Sequence, residues 1–325
     1  MVVKKNVILT GVKPSGTLHL GNYLGAIAPA IKSANESTDK SYFFIADAHA
    51  LTTVKNAKEL STAIRHIACV WLACGLDVKK TAFYRQSDIP EIFELATIIS
   101  NVTPKGLLNR AHAYKTVVQN AVDKNQDPDK DVNVGLFTYP VLQAADIMIV
   151  DTSIVPVGQD QKQHIEIAAD IAKSFNAVYG NTLVVPKDLI KPDVGTIAGL
   201  DGRKMSKSYG NVIPLFCSEQ DLLKAIKRIE TDSSLPTDPK PKDHLIYVLY
   251  KHFTGKDLDP CIGWGDAKQR LFDAVNKVIT PMRERYNYLM ENYGEVEKIL
   301  ALGAVETRKV ARETLNRVRK AVGIS

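Results

Sequence analysis

An α/β fold built on a parallel sheet and continued by an all-helical C-terminal region is predicted for this chain of 325 residues by three observations. Short apolar runs alternate with amphipathic segments, the pattern of strands covered by helices on both faces. The first apolar run, Val7 to Thr10, passes directly into a glycine turn and then into a helical pattern. After Pro214 the strand runs cease and only helical periodicity remains.

The elements follow in order. Val7-Ile8-Leu9-Thr10 is a strand ending at Gly11, Pro14-Ser15-Gly16 is the turn, and His19 to Ile31 is a helix. Tyr42 to Ala46 reads as a buried strand. Residues 57 to 75 place Leu60, Ile64, Ile67, Trp71 and Cys74 on one face of a helix that Gly75 stops. Thr81 to Tyr84 restarts a strand. Further strands are expected at Ile147 to Val150, Ile154 to Val157 and Leu183 to Val185, with helices near 90 to 101 and 160 to 175. Such alternation implies a Rossmann-like parallel sheet covered on both faces, with its ligand at the carboxyl ends of the strands. Helices are then expected over 218 to 230, 242 to 254, 266 to 293 and 296 to 322. The chain accordingly divides into a sheet domain over 1–212 and a helical domain over 213–325. The first carries an exposed mobile insertion near 110–134, rich in Asp, Asn and Lys, and a basic loop over 201–211.

Composition narrows the class. A hydrophobic content of 45% excludes a disordered chain, and a formal charge of +6 permits a polyanionic partner without requiring one. From Gly303 to Ser325 six basic residues (Arg308, Lys309, Arg312, Arg317, Arg319, Lys320) face only Glu306 and Glu313. Cys69, Cys74, Cys217 and Cys261 form no C-x-x-C pair, so neither a zinc nor an iron–sulfur site is expected, and they read as reduced thiols. The N-terminal residues lack a signal-peptide core, and the apolar run from Ile67 to Leu76 is too short to span a bilayer. A soluble cytoplasmic protein without a membrane partner is the expectation.

Two segments carry phosphate chemistry. Lys204-Met205-Ser206-Lys207-Ser208 lies between Asp201-Gly202 and Gly210-Asn211, on a glycine-punctuated surface loop. Two ammonium groups three positions apart there suit a transferring triphosphate; a solvated basic turn is the alternative. Near the N-terminus, Lys13-Pro14-Ser15-Gly16-Thr17-Leu18-His19-Leu20-Gly21-Asn22 opens a helix whose free N–H groups and dipole favour phosphate. Gly16 permits the tight turn, and Gly21 lets the backbone approach a flat base. His19 and Asn22 share a face and can donate to phosphate oxygens. Asp146 stands within the apolar stretch Ala144 to Val150, where a charge is costly without a partner.

His19-Leu20-Gly21-Asn22 resembles the first signature of the class I aminoacyl-tRNA synthetases, and Lys204 to Ser208 matches the second letter for letter. Tyr139 to Ile147 and Val155 to His164 resemble the tryptophanyl branch of that family, and the resemblance covers nearly the whole chain. It implies activation of L-tryptophan with ATP and Mg2+, the metal held mainly by phosphate oxygens and water, and transfer to tRNA(Trp) by a homodimer. Lys204, Lys207, Ser206 and His19 would then be catalytic. Lys13, Pro14, Ser15, Gly16, Gly21, Asn22, Gly158, Asp160, Met205 and Ser208 would join them in binding ATP. Asp146 would accept the indole N–H, with Gly11, Val155, Val157 and Gly158 lining the indole pocket and Leu9 also binding tryptophan. His49, Tyr139, Gln143 and Gln161 would hold the substrate's ammonium and carboxylate.

The sequence departs from many relatives at Lys13, where they carry glutamine, and at Gln143, where they carry methionine. The helical domain would read the anticodon, the basic residues of the last helix touching the tRNA backbone or simply facing solvent. Arg110 to Lys115 would serve the acceptor end. Two other functions share parts of this pattern. A tyrosyl-tRNA synthetase has both signatures and a Gln-x-x-Asp element, although Leu9 stands where tyrosine enzymes tend to place a hydroxyl partner. A small nucleotidylyltransferase shares the first signature and the fold.

Overall fold

The computed structural model describes residues 6–324, except Ser15, Thr17, residues 191–196 and the Asp160 side chain. Among them a five-stranded sheet runs in the order β3-β2-β1-β4-β5. Its strands are β1 (Val7–Val12), β2 (Lys40–Ile45), β3 (Thr81–Arg85), β4 (Ile154–Val157) and β5 (Lys187–Ile190), all parallel. The chain moves outward from β1 in one direction and then returns to its other side, so the order reverses beside β1. Ligands of open parallel sheets bind at such a reversal. The register pairs Gly11 with Phe44 and Val12 with Ile45, bringing the carboxyl ends of β1 and β2 level.

Helices cover both faces. Phe43, Ile45 and Phe83 point to one side, where they meet Ile67 and Trp71 of the helix Ala57–Ala73 and, through that helix, Leu271 and Val275 of the helix Trp264–Glu291. Leu9, Tyr42, Phe44 and Tyr84 point to the other, against Ile92, Ile147 and Phe175. The helix Ala57–Ala73 begins where the Asn56 side chain accepts from the backbone of Lys58 and Glu59, and it ends before Gly75 at φ 94°. No helix among the described residues is long and apolar enough to cross a membrane.

Two expected strands are corrected. Ile147 to Val150 is no strand: residues through Ile149 close the helix Val134–Ile149. A short, fully buried apolar run fits either element, and here the helix is enclosed on several sides. Leu183 to Val185 lies outside regular structure, and the strand begins at Lys187. β5 is an edge strand with polar, exposed positions, so no buried run announces it.

The last helix, Tyr293–Val322, seals the opposite edge of the sheet. A Cβ on Gly303 would overlap the Phe83 carbonyl oxygen, so only glycine lets this helix lie so close to β3. Ala304, Ala311, Leu315 and Val318 join the core under Tyr42 and Tyr84. Its arginines hold the same docking. Arg308 donates to Glu91 through Nε and Nη2, both at 3.0 Å, and Arg312 Nε adds a third contact at 3.1 Å. Arg319 grips Glu94 at 2.5 and 2.6 Å, and Arg317 reaches Asp151 at 2.6 Å. Four of the six basic residues of this segment therefore bind Glu91, Glu94 or Asp151, leaving Lys309 and Lys320 exposed to solvent.

Glu91 supplies a pH test of that docking. Burial raises its pKa, but hydrogen bonds from Arg308, its own backbone and Arg312 outweigh burial and hold it below its ordinary 4.5. A carboxylate depressed in the folded state contributes stability above its unfolded pKa and loses it as pH falls through the folded value. Glu91→Gln should lower stability at pH 7 by about 2 kcal/mol, since it leaves the arginines without a charged acceptor. The difference from the parent should shrink below about pH 4. Denaturant unfolding at both pH values measures this, and a difference unchanged with pH would refute it.

Candidate active site

β1 delivers the chain to Lys13, and Gly16 turns it at φ 51°. The turn opens a short helix, Leu20–Asn22, continued through a π-wound turn, Tyr23–Ile27, into the helix Ala28–Glu36. His19 and Asn22 close the start of this helix reciprocally. His19 Nδ1 accepts from the Asn22 backbone at 3.3 Å, and Asn22 Oδ1 accepts from the His19 backbone at 3.2 Å. An acceptor role for Nδ1 puts the proton of a neutral ring on Nε2, where it can be donated to a ligand. Burial, and then the Lys207 ammonium, keep the His19 pKa below its ordinary value, so the ring is a neutral donor at physiological pH.

The basic loop is bonded directly onto this turn. Leu20 N donates to Ile213 O at 2.9 Å and Leu215 N to Leu18 O at 3.1 Å, so the segment after the loop runs antiparallel to the helix start. The buried thioether of Met205 receives the Gly21 N–H at 3.3 Å. Lys207 lies against Gly16, where a Cβ would displace its ammonium. Within the loop, Lys207–Tyr209 form a single 3-10 turn closed by Gly210 at φ 63°, and Arg203 stacks on the Tyr209 ring at 4.4 Å. Hydrogen bonds from Asn211 and then Arg203 hold the Asp201 carboxyl down to about 2. Burial lowers the Lys207 pKa. An anion placed between Lys207 and His19 would relieve the desolvated cation, so the arrangement favours phosphate.

Beside this site, at the carboxyl ends of β1 and β2, a cavity of about 360 Å³ is lined by Gly11, Lys13, Phe44, His49, Tyr139, Gln143, Gln161 and His164, among others. Phe44 forms a wall, stacked on Tyr84 at 5.9 Å. A Cβ on Gly11 would come within 2.6 Å of the Phe44 ring, so glycine is required there to pack the ring against β1. The polar wall is interlinked. The Tyr139 hydroxyl and His164 Nε2 lie 2.8 Å apart, and His164 Nδ1 and Gln161 Oε1 2.9 Å apart. Lys13 Nζ donates to Thr52 Oγ1 at 3.2 Å, and burial lowers its pKa.

Asp146 sits behind this wall and is 1% exposed. His49 Nε2 donates to its Oδ2 at 2.9 Å, and Gln86 Nε2 donates to Oδ1 at 2.8 Å and Oδ2 at 2.9 Å. Burial raises its pKa, opposed by His49 and Gln86. A carboxylate has about four acceptor sites, so Oδ1 retains capacity for one more donor.

Of the residues expected to hold the substrate, Gly11, His49, Tyr139, Gln143 and Gln161 converge on one cavity, and Lys13 joins them. Leu9 and Val155 lie in the core instead, and Val157 packs partly buried against it. Pro14 is buried in the turn, and Gly158 is exposed after β4. Ser15 and the Asp160 side chain lie outside the described residues. Sequence reasoning missed Phe44, Thr52, Gln86 and His164. Phe44 was signalled by its place near the carboxyl end of a buried strand, whereas nothing in sequence links Gln86 to Asp146.

A glycine-turned strand end, a basic loop bonded to it and a cavity at the sheet's reversal form the arrangement in which an open parallel sheet can take a nucleotide. The chain belongs to the class I tRNA synthetases of the tryptophan and tyrosine type, whose family model matches residues 3–280. Within that family it is similar to the tryptophan–tRNA ligase of Bordetella pertussis, 47% identical over 98% of this chain and 73% of that protein. Its counterpart in Pseudomonas aeruginosa is 46% identical over the same shares. A crystal structure of the tryptophanyl-tRNA synthetase of Campylobacter jejuni, in complex with ADP and tryptophan, superposes with a TM-score of 0.87. It has 39% identity and covers 98% of this chain and 99% of that one.

Proposed function

We propose that this chain activates L-tryptophan with ATP and transfers it to tRNA(Trp). The carrying observation is the juxtaposition of a substrate-sized polar and aromatic cavity with two phosphate segments hydrogen-bonded to each other. The tryptophan carboxylate attacks the α-phosphorus, the bond to the β-phosphate oxygen breaks, and pyrophosphate leaves. A ribose hydroxyl of the terminal adenosine of tRNA then attacks the activated carbonyl and AMP departs. No side chain forms a covalent bond; the protein positions the reactants and stabilises charge.

In this reading the amino acid occupies the cavity. Asp146 accepts the indole N–H through its remaining lone pair, which requires the His49 wall to open toward it. His49, Tyr139, Gln143 and Gln161 hold its ammonium and carboxylate, and Lys13 steers that carboxylate or the α-phosphate. Gly21 and Met205 border the adenine, His19 and Asn22 hold phosphate, and Lys204, Ser206 and Lys207 receive the leaving pyrophosphate. No cluster of three or more His, Cys, Asp or Glu suited to a metal is found among the described residues. Magnesium would enter with the triphosphate, carried by its oxygens and water. Residues 1–212 form the catalytic domain and 213–325 the region that engages tRNA, in a homodimer.

ATP–pyrophosphate exchange measured with tryptophan and with tyrosine separately tests this. Tryptophan should support exchange and tyrosine should not. Exchange with tyrosine alone would overturn the substrate.

A further inference from the structure

We infer that Asn211, three residues beyond the second signature, is a positioning residue that sets the geometry of the loop carrying Lys204 and Lys207. Its side chain is 3% exposed and spans the loop from end to end. Oδ1 accepts from Ser206 N at 2.8 Å, while Nδ2 donates to Asp201 Oδ1 at 2.6 Å and to Lys204 O at 3.1 Å. One amide thus ties down the first residue of the loop, the first lysine's carbonyl and the backbone of Ser206, between the two lysines. Its own carbonyl accepts from Leu200 N at 2.9 Å, which fixes the base of the loop as well.

Two further features depend on that placement. A Cβ on Gly199 would overlap the Asn211 side chain and carbonyl, so only glycine at the base of the loop leaves room for the amide where it stands. Asp201 faces Asn211 on one side and is gripped by the Arg203 guanidinium at 2.6 and 2.9 Å on the other, so the carboxylate stays where Nδ2 needs it. Only an amide meets both demands, since the position must accept from one backbone N–H and donate to a carboxylate and a carbonyl. Asn211 itself lies outside the substrate cavity, so its effect reaches the reaction through the two lysines.

This rests on the proposed reading of the site, and the test separates the two. Asn211→Asp keeps the acceptor for Ser206 but sets a carboxylate against Asp201 and the Lys204 carbonyl. It should lower the turnover number for tryptophan-dependent exchange by about 10²-fold, the size expected when reacting groups are displaced by about 1 Å. The KM for tryptophan should stay within about twofold, because the cavity is untouched. Adding Asp201→Asn restores an amide–carboxylate pair in the opposite sense, and the double variant should recover about tenfold of the loss, the loss of the Lys204 contact remaining. A single variant at parental turnover, a double variant no faster than the single one, or loss of tryptophan binding together with turnover would each overturn the role of Asn211. Absence of exchange in the parent would defeat the reading of the site instead.

Discussion

Replacing Lys207 by alanine should slow formation of the adenylate by about 10²- to 10³-fold, the cost of removing one preorganised donor from developing negative charge. Its ammonium already lies against Gly16, lowers the His19 pKa and is itself partly desolvated, so it meets phosphate before any rearrangement. Lys207 does not line the cavity proposed for tryptophan. Tryptophan affinity, measured by equilibrium binding without ATP, should therefore change by less than about threefold. The same separation is expected of Lys204→Ala. Single-turnover kinetics at saturating tryptophan and ATP measure the chemical step, and an equal loss in binding and rate would show that the loop shapes the amino-acid pocket instead. Arginine at 207 should rescue poorly, because a planar fork cannot take the place of a compact ammonium against a glycine turn.

The parts of this site that sequence made legible are those in which one residue type answers a backbone demand. Gly16 is needed because φ is positive, and it stands in the turn that follows a run already legible as a strand; Gly11 closes that run, though the ring that demands it there is seen only in the structure. The glycine turn before His19 and the glycine-punctuated loop over 201–211 were legible as turns for the same reason. What the sequence could not convey is contact between distant segments. Gln86 and Asp146 are sixty positions apart and Arg308 and Glu91 more than two hundred, and neither pair has a spacing rule. The strand expected at Ile147 to Val150 failed because burial on every side erases the periodicity that separates helix from strand. The basic terminal helix read as facing either tRNA or solvent, and the carboxylates that four of its arginines hold could not be seen, because charge counts cannot distinguish a free arginine from a paired one.

Asp146→Asn should cost about 10³-fold in kcat/KM for tryptophan while leaving the KM for ATP within a few fold. An ionised Asp146 only accepts, so it requires a proton on His49 Nε2 and holds in place a ring that lines the cavity. An asparagine brings a donor into the same place. If its Nδ2 takes the place of Oδ2, it opposes the donors of both His49 and Gln86, and the ring loses the acceptor that holds it at the cavity. If it takes the place of Oδ1, it and Gln86 Nε2 oppose each other as two donors in a site with no water access to relieve them. In either orientation the indole N–H meets a neutral acceptor in place of a charged one, which weakens that bond by about half. Two such losses of about 2 kcal/mol each amount to about 10³ in rate constant. The phosphate segments lie outside this network, which is why ATP should be spared. An Asp146→Asn chain with parental kcat/KM for tryptophan would remove the carboxylate from the substrate's recognition and leave it as a buried brace for His49 and Gln86.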